Sequence, residues 1–299
     1  MCILYKVDLA CYNMPEGRVM YCKFYGFKER PFNVTSDPAF FFSSRKHREA
    51  YSHLLYGVTQ RKGIIVMTGE VGTGKTTLCR FFLGQLGENI KTAFILNPLF
   101  SEIELLEAIV KDFGLRIWRK SRLSFVSELN KFLLAQSERG NNVVLLIDEA
   151  QHLKPQHLEQ VRLLSNLETE KEKLLQIVLV GQPQLNDRLN LDELYQLRQR
   201  IMIRYHIGPL ENDEIKEYIG HRLRVASGKE TVTFTDEAIQ AVADFSAGTP
   251  RLINMACDRA LLAGFVEETS TIDASIVHRC CLELESYYMG HKKSYEHNL

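Results

Sequence analysis

Five short apolar runs, each separated from the next by a segment of helical period, leave this chain few folds to choose from. The runs cover residues 64–67, 92–96, 143–147, 174–180 and 201–207, and nearly every position in them is apolar. A strand solvated on one face alternates apolar and polar side chains, whereas an unbroken run suits a strand buried on both faces of a parallel sheet. Helical periods at about 76–86, 102–113, 122–138 and 155–168 fill the intervals. Strand and helix in turn predict an α/β fold with a parallel sheet flanked by helices. Ahead of it, Phe24, Tyr25, Phe27 and Phe32 precede a turn at Asp37-Pro38, and a helix follows with Ala50, Leu54, Leu55 and Val58 on one face.

After Pro209 the apolar runs stop. Helical periods at about 212–226, 235–246, 250–266 and 273–286 take over, with Thr235, Asp236 and Asp273 as N-cap residues. The expected organisation is an α/β domain over 20–208, a small all-helical lid domain over 209–288 and a polar tail over 289–299. Residues 1–19 carry Lys6 and Asp8 where a secretory signal needs an apolar core, so they are not expected to be one. The patterned sequence begins at Met20, and 1–19 are expected to be an upstream extension without a role.

The 299 residues are 45% apolar and 25% charged, enough to bury two modest cores. Lys+Arg and Asp+Glu number 37 each, which excludes a globally basic nucleic-acid binder while leaving room for a local patch. Seven cysteines, at 2, 11, 22, 79, 257, 280 and 281, form no C-x-x-C pair and suit reduced thiols in a cytoplasmic protein. No apolar run is long enough to span a membrane.

Within this frame, Gly69-Glu70-Val71-Gly72-Thr73-Gly74-Lys75-Thr76 matches G-x-x-x-x-G-K-[ST] between a strand and a helix. Glycines let the backbone curl so that successive N–H groups face phosphate oxygens. Lys75 is placed to reach the β- and γ-phosphates of a nucleotide, and the Thr76 hydroxyl to ligate Mg²⁺. The run 143–147 ends in Asp148-Glu149, and buried adjacent acids need a cation or a water to use them. Asp148 is expected to hold Mg²⁺ through its water shell and Glu149 to polarise the attacking water. At the end of 174–180, Gln182 either senses the γ-phosphate or simply forms a turn; Asn97 is a weaker case of the same kind.

Phosphoryl transfer also calls for positive charge beyond Lys75 and the metal. Arg200, or Arg198 beside it, precedes the run 201–207 and could enter a neighbouring subunit's site as a finger. Arg251 follows Pro250 at the first turn of a lid helix, a position from which it could reach the phosphates. A solvated or salt-bridged role is the alternative for each of these arginines.

The 69–76 loop, Asp148-Glu149 and Gly248-Thr249-Pro250-Arg251 together resemble an AAA+ ATPase. More narrowly, the chain resembles the ExeA-type (general secretion pathway protein A) family and its short, MshM-like pilus-biogenesis members. The residues that carry the likeness are Phe24-Tyr25-Gly26-Phe27-Lys28-Glu29-Arg30-Pro31-Phe32, the loop through Thr77, Asp148-Glu149-Ala150-Gln151, and Leu164-Ser165-Asn166-Leu167-Glu168-Thr169-Glu170. Val180-Gly181-Gln182-Pro183, Leu197-Arg198-Gln199-Arg200-Ile201 and Pro250-Arg251-Leu252-Ile253-Asn254 complete them. The resemblance implies a five-stranded parallel sheet with the Lys75 strand flanked by the Gln182 strand, a four-helix lid, and ATP with Mg²⁺ held by Gly69, Glu70, Val71, Gly72, Thr73, Gly74, Lys75, Thr76, Thr77 and Asp148. It implies sensor roles for Gln182 and Arg251, an intersubunit finger at Arg200, and a homo-oligomer or ring. The implied role is to energise assembly of a cell-envelope system, such as type II secretion or a type IV pilus. The family's long members continue into a membrane span and a peptidoglycan-binding domain, so here a protein partner at the inner membrane is expected to carry that role outward.

Two other functions compete. A DNA-associated AAA+ ATPase of the transposition-regulator type would use basic clusters at Arg45-Lys46-His47-Arg48 and at Arg116, Arg119, Lys120 and Arg122 around Trp118, although such runs are commonly solvated faces. A non-hydrolysing nucleotide switch would need neither Glu149 nor Arg200. Trp118 is expected to pack, and His152 and His157 are not spaced to share a helix face and bind zinc.

Overall fold

The computed structural model describes residues 20–118, 120–170, 172–227 and 232–295. Cys2, Cys11 and Arg119 lie outside the described residues. These residues form two compact units, one of 36–210 and one in which the segment up to Thr35 joins Glu211 onward. The described residues begin with helix α1 (Met20–Phe24) of the second unit and enter the first through α2 (Arg45–Thr59).

The first unit runs β1 (Ile64–Gly69), α3 (Lys75–Gln85), β2 (Ile90–Ile95), α4 (Glu102–Asp112), α5 (Arg122–Glu138), β3 (Asn142–Ile147), α6 (Pro155–Leu164), β4 (Gln176–Gly181), α7 (Gln184–Leu189), α8 (Tyr195–Arg198) and β5 (Ile201–Ile207). All five strands are parallel in the order β2-β3-β4-β1-β5. Alternate side chains of each strand feed opposite faces. Ile65 and Met67 pack with Leu54 and Val58 of α2 and with Leu78 and Phe82 of α3. Ile64 and Val66 join Leu106 and Ile109 of α4, Leu129 and Leu133 of α5, and Leu158 and Val161 of α6.

The central strands β1, β3 and β4 are buried at every position, as their unbroken apolar runs require. The flanking two differ from expectation. Along β5, burial alternates, with Met202, Arg204 and His206 exposed, and β2 is also only partly buried. Both are edge strands, so fewer layers cover them.

The second unit contains α9 (Asn212–Ser227), β6 (Thr233–Phe234), α10 (Asp236–Ser246), α11 (Pro250–Val266), β7 (Thr271–Ile272) and α12 (Ala274–Tyr295). Thr235 Oγ1 accepts from Ala238 N at 3.1 Å and Asp273 Oδ1 from Ile276 N at 3.0 Å, so both residues cap helices as their sequence positions predict. Three expectations need correction. This unit is not all-helical, since β6 and β7 pair in parallel, and α12 continues through 289–295 where a polar tail was expected.

The third correction concerns residues 20–35, which pack with the helical unit instead of the α/β unit. The cause is a set of hydrogen bonds, buried or partly buried. Arg222 donates from Nε to Pro31 O at 2.6 Å and from Nη2 to Asn33 O at 3.0 Å, while Lys28 N reaches Ala226 O and Tyr25 Oη reaches Thr269 O. Arg222 Nη1 donates to Tyr218 Oη, which donates in turn to Asn254 Oδ1 at 2.8 Å. Replacing Arg222 by Met strands two carbonyls and is expected to destabilise the protein by about 2–4 kcal/mol. Urea unfolding should show this as an earlier transition, and an unchanged midpoint would mean that the Arg222 bonds do not hold the segment.

Candidate active site

Beyond Gly69 the chain turns through Glu70, Val71, Gly72, Thr73 and Gly74 into α3, whose first residue is Lys75. Gly72 and Gly74 have φ of 84° and 89°, a region in which a Cβ is costly. A Cβ on Gly74 would also lie 3.0 Å from His47 Nε2. The turn is closed by Thr73, whose hydroxyl donates to Glu70 O at 2.9 Å. Such a curl at a helix N-terminus gathers backbone N–H groups into an anion site. Lys75 is buried, and its Nζ donates to Gly69 O at 2.7 Å and Glu70 O at 2.8 Å. Burial pushes the pKa of its ammonium down, while the charges of Glu149, Asp148 and Glu70 oppose that shift.

The acids arrive from β3. Asp148 is 1% exposed; its Oδ2 accepts from Thr76 Oγ1 at 2.5 Å and its Oδ1 from Glu149 N at 2.9 Å. Burial pushes its carboxyl above the usual aspartate range even though both hydrogen bonds pull the other way. A buried carboxylate of this kind gains from a nearby cation. The Thr76 hydroxyl and the Asp148 carboxylate are hard oxygen donors placed side by side, which suits Mg²⁺.

Glu149 has φ 52°, the left-handed region, which costs a non-glycine residue about 1 kcal/mol or more. Its Oε2 accepts from Gln151 Nε2 at 2.5 Å, while Gln182 Nε2 lies 3.5 Å and His152 Nε2 4.0 Å from the same oxygen. Gln182 stands just past β4, the strand between β1 and β3. Its neighbour Gly181 is a close-approach glycine, because a Cβ there would sit 2.8 Å from Gln151 Oε1. Lys75, Thr76, Asp148, Glu149 and Gln182 are thus brought together at the carboxyl end of the central strands.

Arg200 is placed elsewhere. Ile201 pairs with Ile64, the first residue of β1, so Arg200 stands at the amino end of the strands, opposite the end that bears the 69–76 loop. The length of β1 separates the two, roughly 17 Å at strand rise. Arg198 is engaged locally, donating to Asn190 O at 3.1 Å and covering the Tyr195 ring. Asn97 is exposed beyond β2. Arg251 is exposed at the second residue of α11, with Pro250 at the first as predicted.

Two further residues shape the site. His47 lies in the basic run with Arg45, Lys46 and Arg48 and would pass for surface charge, yet it is buried. Its Nε2 lies 3.0 Å from Thr73 O and its Nδ1 2.6 Å from Ser44 Oγ, bracing the loop. The signal was present, since 47, 50, 54 and 58 share one helical face. Gln151 entered only through the family likeness. Trp118 corrects an expectation, since it is 98% exposed instead of packed. Leu115 and Ile117 supply the inward contacts of that loop, and Lys120 and Arg122 pair with Glu107 and Glu102.

Residues 58–189, which include the loop, both acids and Gln182, match the family model of the AAA domain. Over these residues the chain is similar to AAA domains. It is similar to General secretion pathway protein A of Aeromonas hydrophila, with 45% identity over 254 residues, 85% of this chain and 46% of that protein. The chain therefore spans about half the length of the curated relative it matches. The AAA fold is shared with the Aeropyrum pernix ORC2 protein (TM-score 0.67, 17% identity, 86% of this chain and 72% of that one). It is also shared with Drosophila ORC bound to DNA (TM-score 0.62, 21%, 88% and 65%) and the Thermotoga maritima RuvB Holliday junction branch migration motor (0.53, 20%, 80% and 68%). No helix among the described residues is long and apolar enough to cross a membrane.

Removing the brace should be visible in nucleotide binding. His47→Ala is expected to weaken Mg·ATP affinity about tenfold, the cost of one buried hydrogen bond, with partial recovery in His47→Gln. A fluorescent nucleotide titration checks this, and equal affinities would show that the loop keeps its shape without His47.

Proposed function

We propose that this chain is an ATP-hydrolysing AAA protein whose cycle energises assembly of a cell-envelope system of the general secretion or pilus type. The observation that carries the hydrolytic reading is the joining of loop and acidic strand by the 2.5 Å Thr76–Asp148 contact, with Glu149 next in the chain. Lys75 binds the β- and γ-phosphates, and Thr76 and Asp148 hold Mg²⁺, which when bound offsets phosphate charge. The curled backbone from Gly69 to Gly74 cradles the phosphates, with Thr77 in the first turn behind them. Glu149 orients and deprotonates the attacking water, and Gln182 contacts the γ-phosphate beside it.

Arg200 supplies charge in trans. Its place at the amino end of the strands puts its own loop out of reach, so a finger at this position needs a neighbouring subunit and hence a homo-oligomer. Arg251 takes the sensor role that the resemblance implies. The envelope role, the inner-membrane protein partner and a cytoplasmic location rest on the likeness to General secretion pathway protein A. A DNA-associated role has less behind it. His47 is buried, Lys120 and Arg122 are answered by acids of α4, and the likeness to ORC and RuvB bears on fold alone.

The test is the ATPase rate per chain against protein concentration, for wild type, Glu149→Gln, Arg200→Ala and an equal mixture of the two variants. The wild-type rate should climb with concentration, and each variant should lose about a hundredfold or more. The mixture should regain up to about a quarter of the wild-type rate, the share of random neighbour pairs that combine both intact groups. A rate flat in concentration with Arg200→Ala unaffected would remove the finger, and a wild type that binds ATP without hydrolysing it would make the chain a nucleotide switch.

A further inference from the structure

Gln151 is 6% exposed and makes one hydrogen bond with each end of its amide. Nε2 donates to Glu149 Oε2 at 2.5 Å, and Oε1 accepts from the backbone N of Gln182 at 3.0 Å. The two partners fix which end is which, because a carboxylate can only accept and a backbone N–H can only donate. Gln151 sits in the 3-10 turn 150–152, immediately after the left-handed Glu149, so little main chain lies between its side chain and the acid. On the other side it abuts Gly181, where a Cβ would come within 2.8 Å of Oε1 and 3.2 Å of the Gln151 backbone N. A rigid planar group therefore spans from the end of β4 to the carboxylate at the end of β3.

We propose that Gln151 is a positioning residue that ties the orientation of Glu149 to the β4–α7 turn bearing Gln182. The proposal rests on the hydrolytic reading above and adds to it a physical link from the γ-phosphate contact to the base. A nucleotide that draws the Gln182 turn toward its γ-phosphate pulls on the Gln151 amide, and through it on Glu149. The Gln151 amide presents a donor to the acid and an acceptor to the N–H from one plane. Gln182 Nε2 itself lies 3.5 Å and His152 Nε2 4.0 Å from Glu149 Oε2, both longer than the Gln151 bond.

Gln151→Glu keeps the acceptor for Gln182 N–H and removes the donor to Glu149, and Gln151→Leu removes both. Each is expected to lower kcat about tenfold or more through misplacement of the base. The nucleotide Kd should stay within about threefold, which also verifies folding. A second readout does not depend on turnover. In ¹H–¹⁵N spectra, Glu149→Ala should move the Gln182 backbone amide resonance, and that movement should shrink by more than half in the Gln151→Leu background. Retention of kcat by both variants, or a Gln182 response independent of Gln151, would overturn the proposal. A wild type that binds but does not hydrolyse ATP would instead defeat the hydrolytic reading, and the Gln182 resonance would still decide the role of Gln151.

Discussion

The site depends on β4 lying between β1 and β3. If the two strands were neighbours, the loop after β1 and the acids after β3 would crowd each other. With one strand between them the axes of β1 and β3 run about 10 Å apart, while the Thr76–Asp148 contact still joins the groups that follow them. The intervening strand then delivers its own last residues, Gly181 and Gln182, to the middle of the crevice. Ligand sites outside the carboxyl ends of parallel strands follow from such crossovers. The burial of β1, β3 and β4 at every position keeps this spacing fixed, because none of the three can shift without opening the core.

Placing charge there has a cost, and the local structure answers it in a consistent way. Lys75 and Asp148 are both buried, and burial pushes each toward its neutral form. Backbone carbonyls, a hydroxyl and the opposite charge of the other group counter it. The backbone carries strain as well, in the left-handed Glu149 beside the acid. Helix α2 contributes from behind through His47, so the loop is held from both its strand and a helix that precedes it in the chain.

Much of this was legible in the sequence. The unbroken runs at 143–147 and 174–180 marked buried strands because no solvated strand could tolerate them. The 69–76 loop and Asp148-Glu149 were readable because their chemistry admits few residue types. Edge strands were misjudged, since Ile201, Ile203 and Ile207 read as continuous with Met202 while the sheet leaves Met202 exposed. The place of residues 20–35 was hidden for another reason. Aromatic composition shows that the segment packs, but the Arg222 bonds that decide which unit it joins are made across some 190 residues. Gln151 was invisible as a working residue because its function lies in two contacts, one to a neighbour and one to Gln182, that no local pattern encodes.

The central claim is that the loop and the acidic strand bind a metal nucleotide together. Calorimetric titration of ATPγS into the wild type and into Lys75→Ala, with Mg²⁺ and with chelator, tests it most directly. One nucleotide should bind per chain, chelation should weaken binding, and Lys75→Ala should cost about a hundredfold in affinity, as loss of a buried charge-assisted contact requires. Binding that ignored both Mg²⁺ and Lys75 would contradict the account.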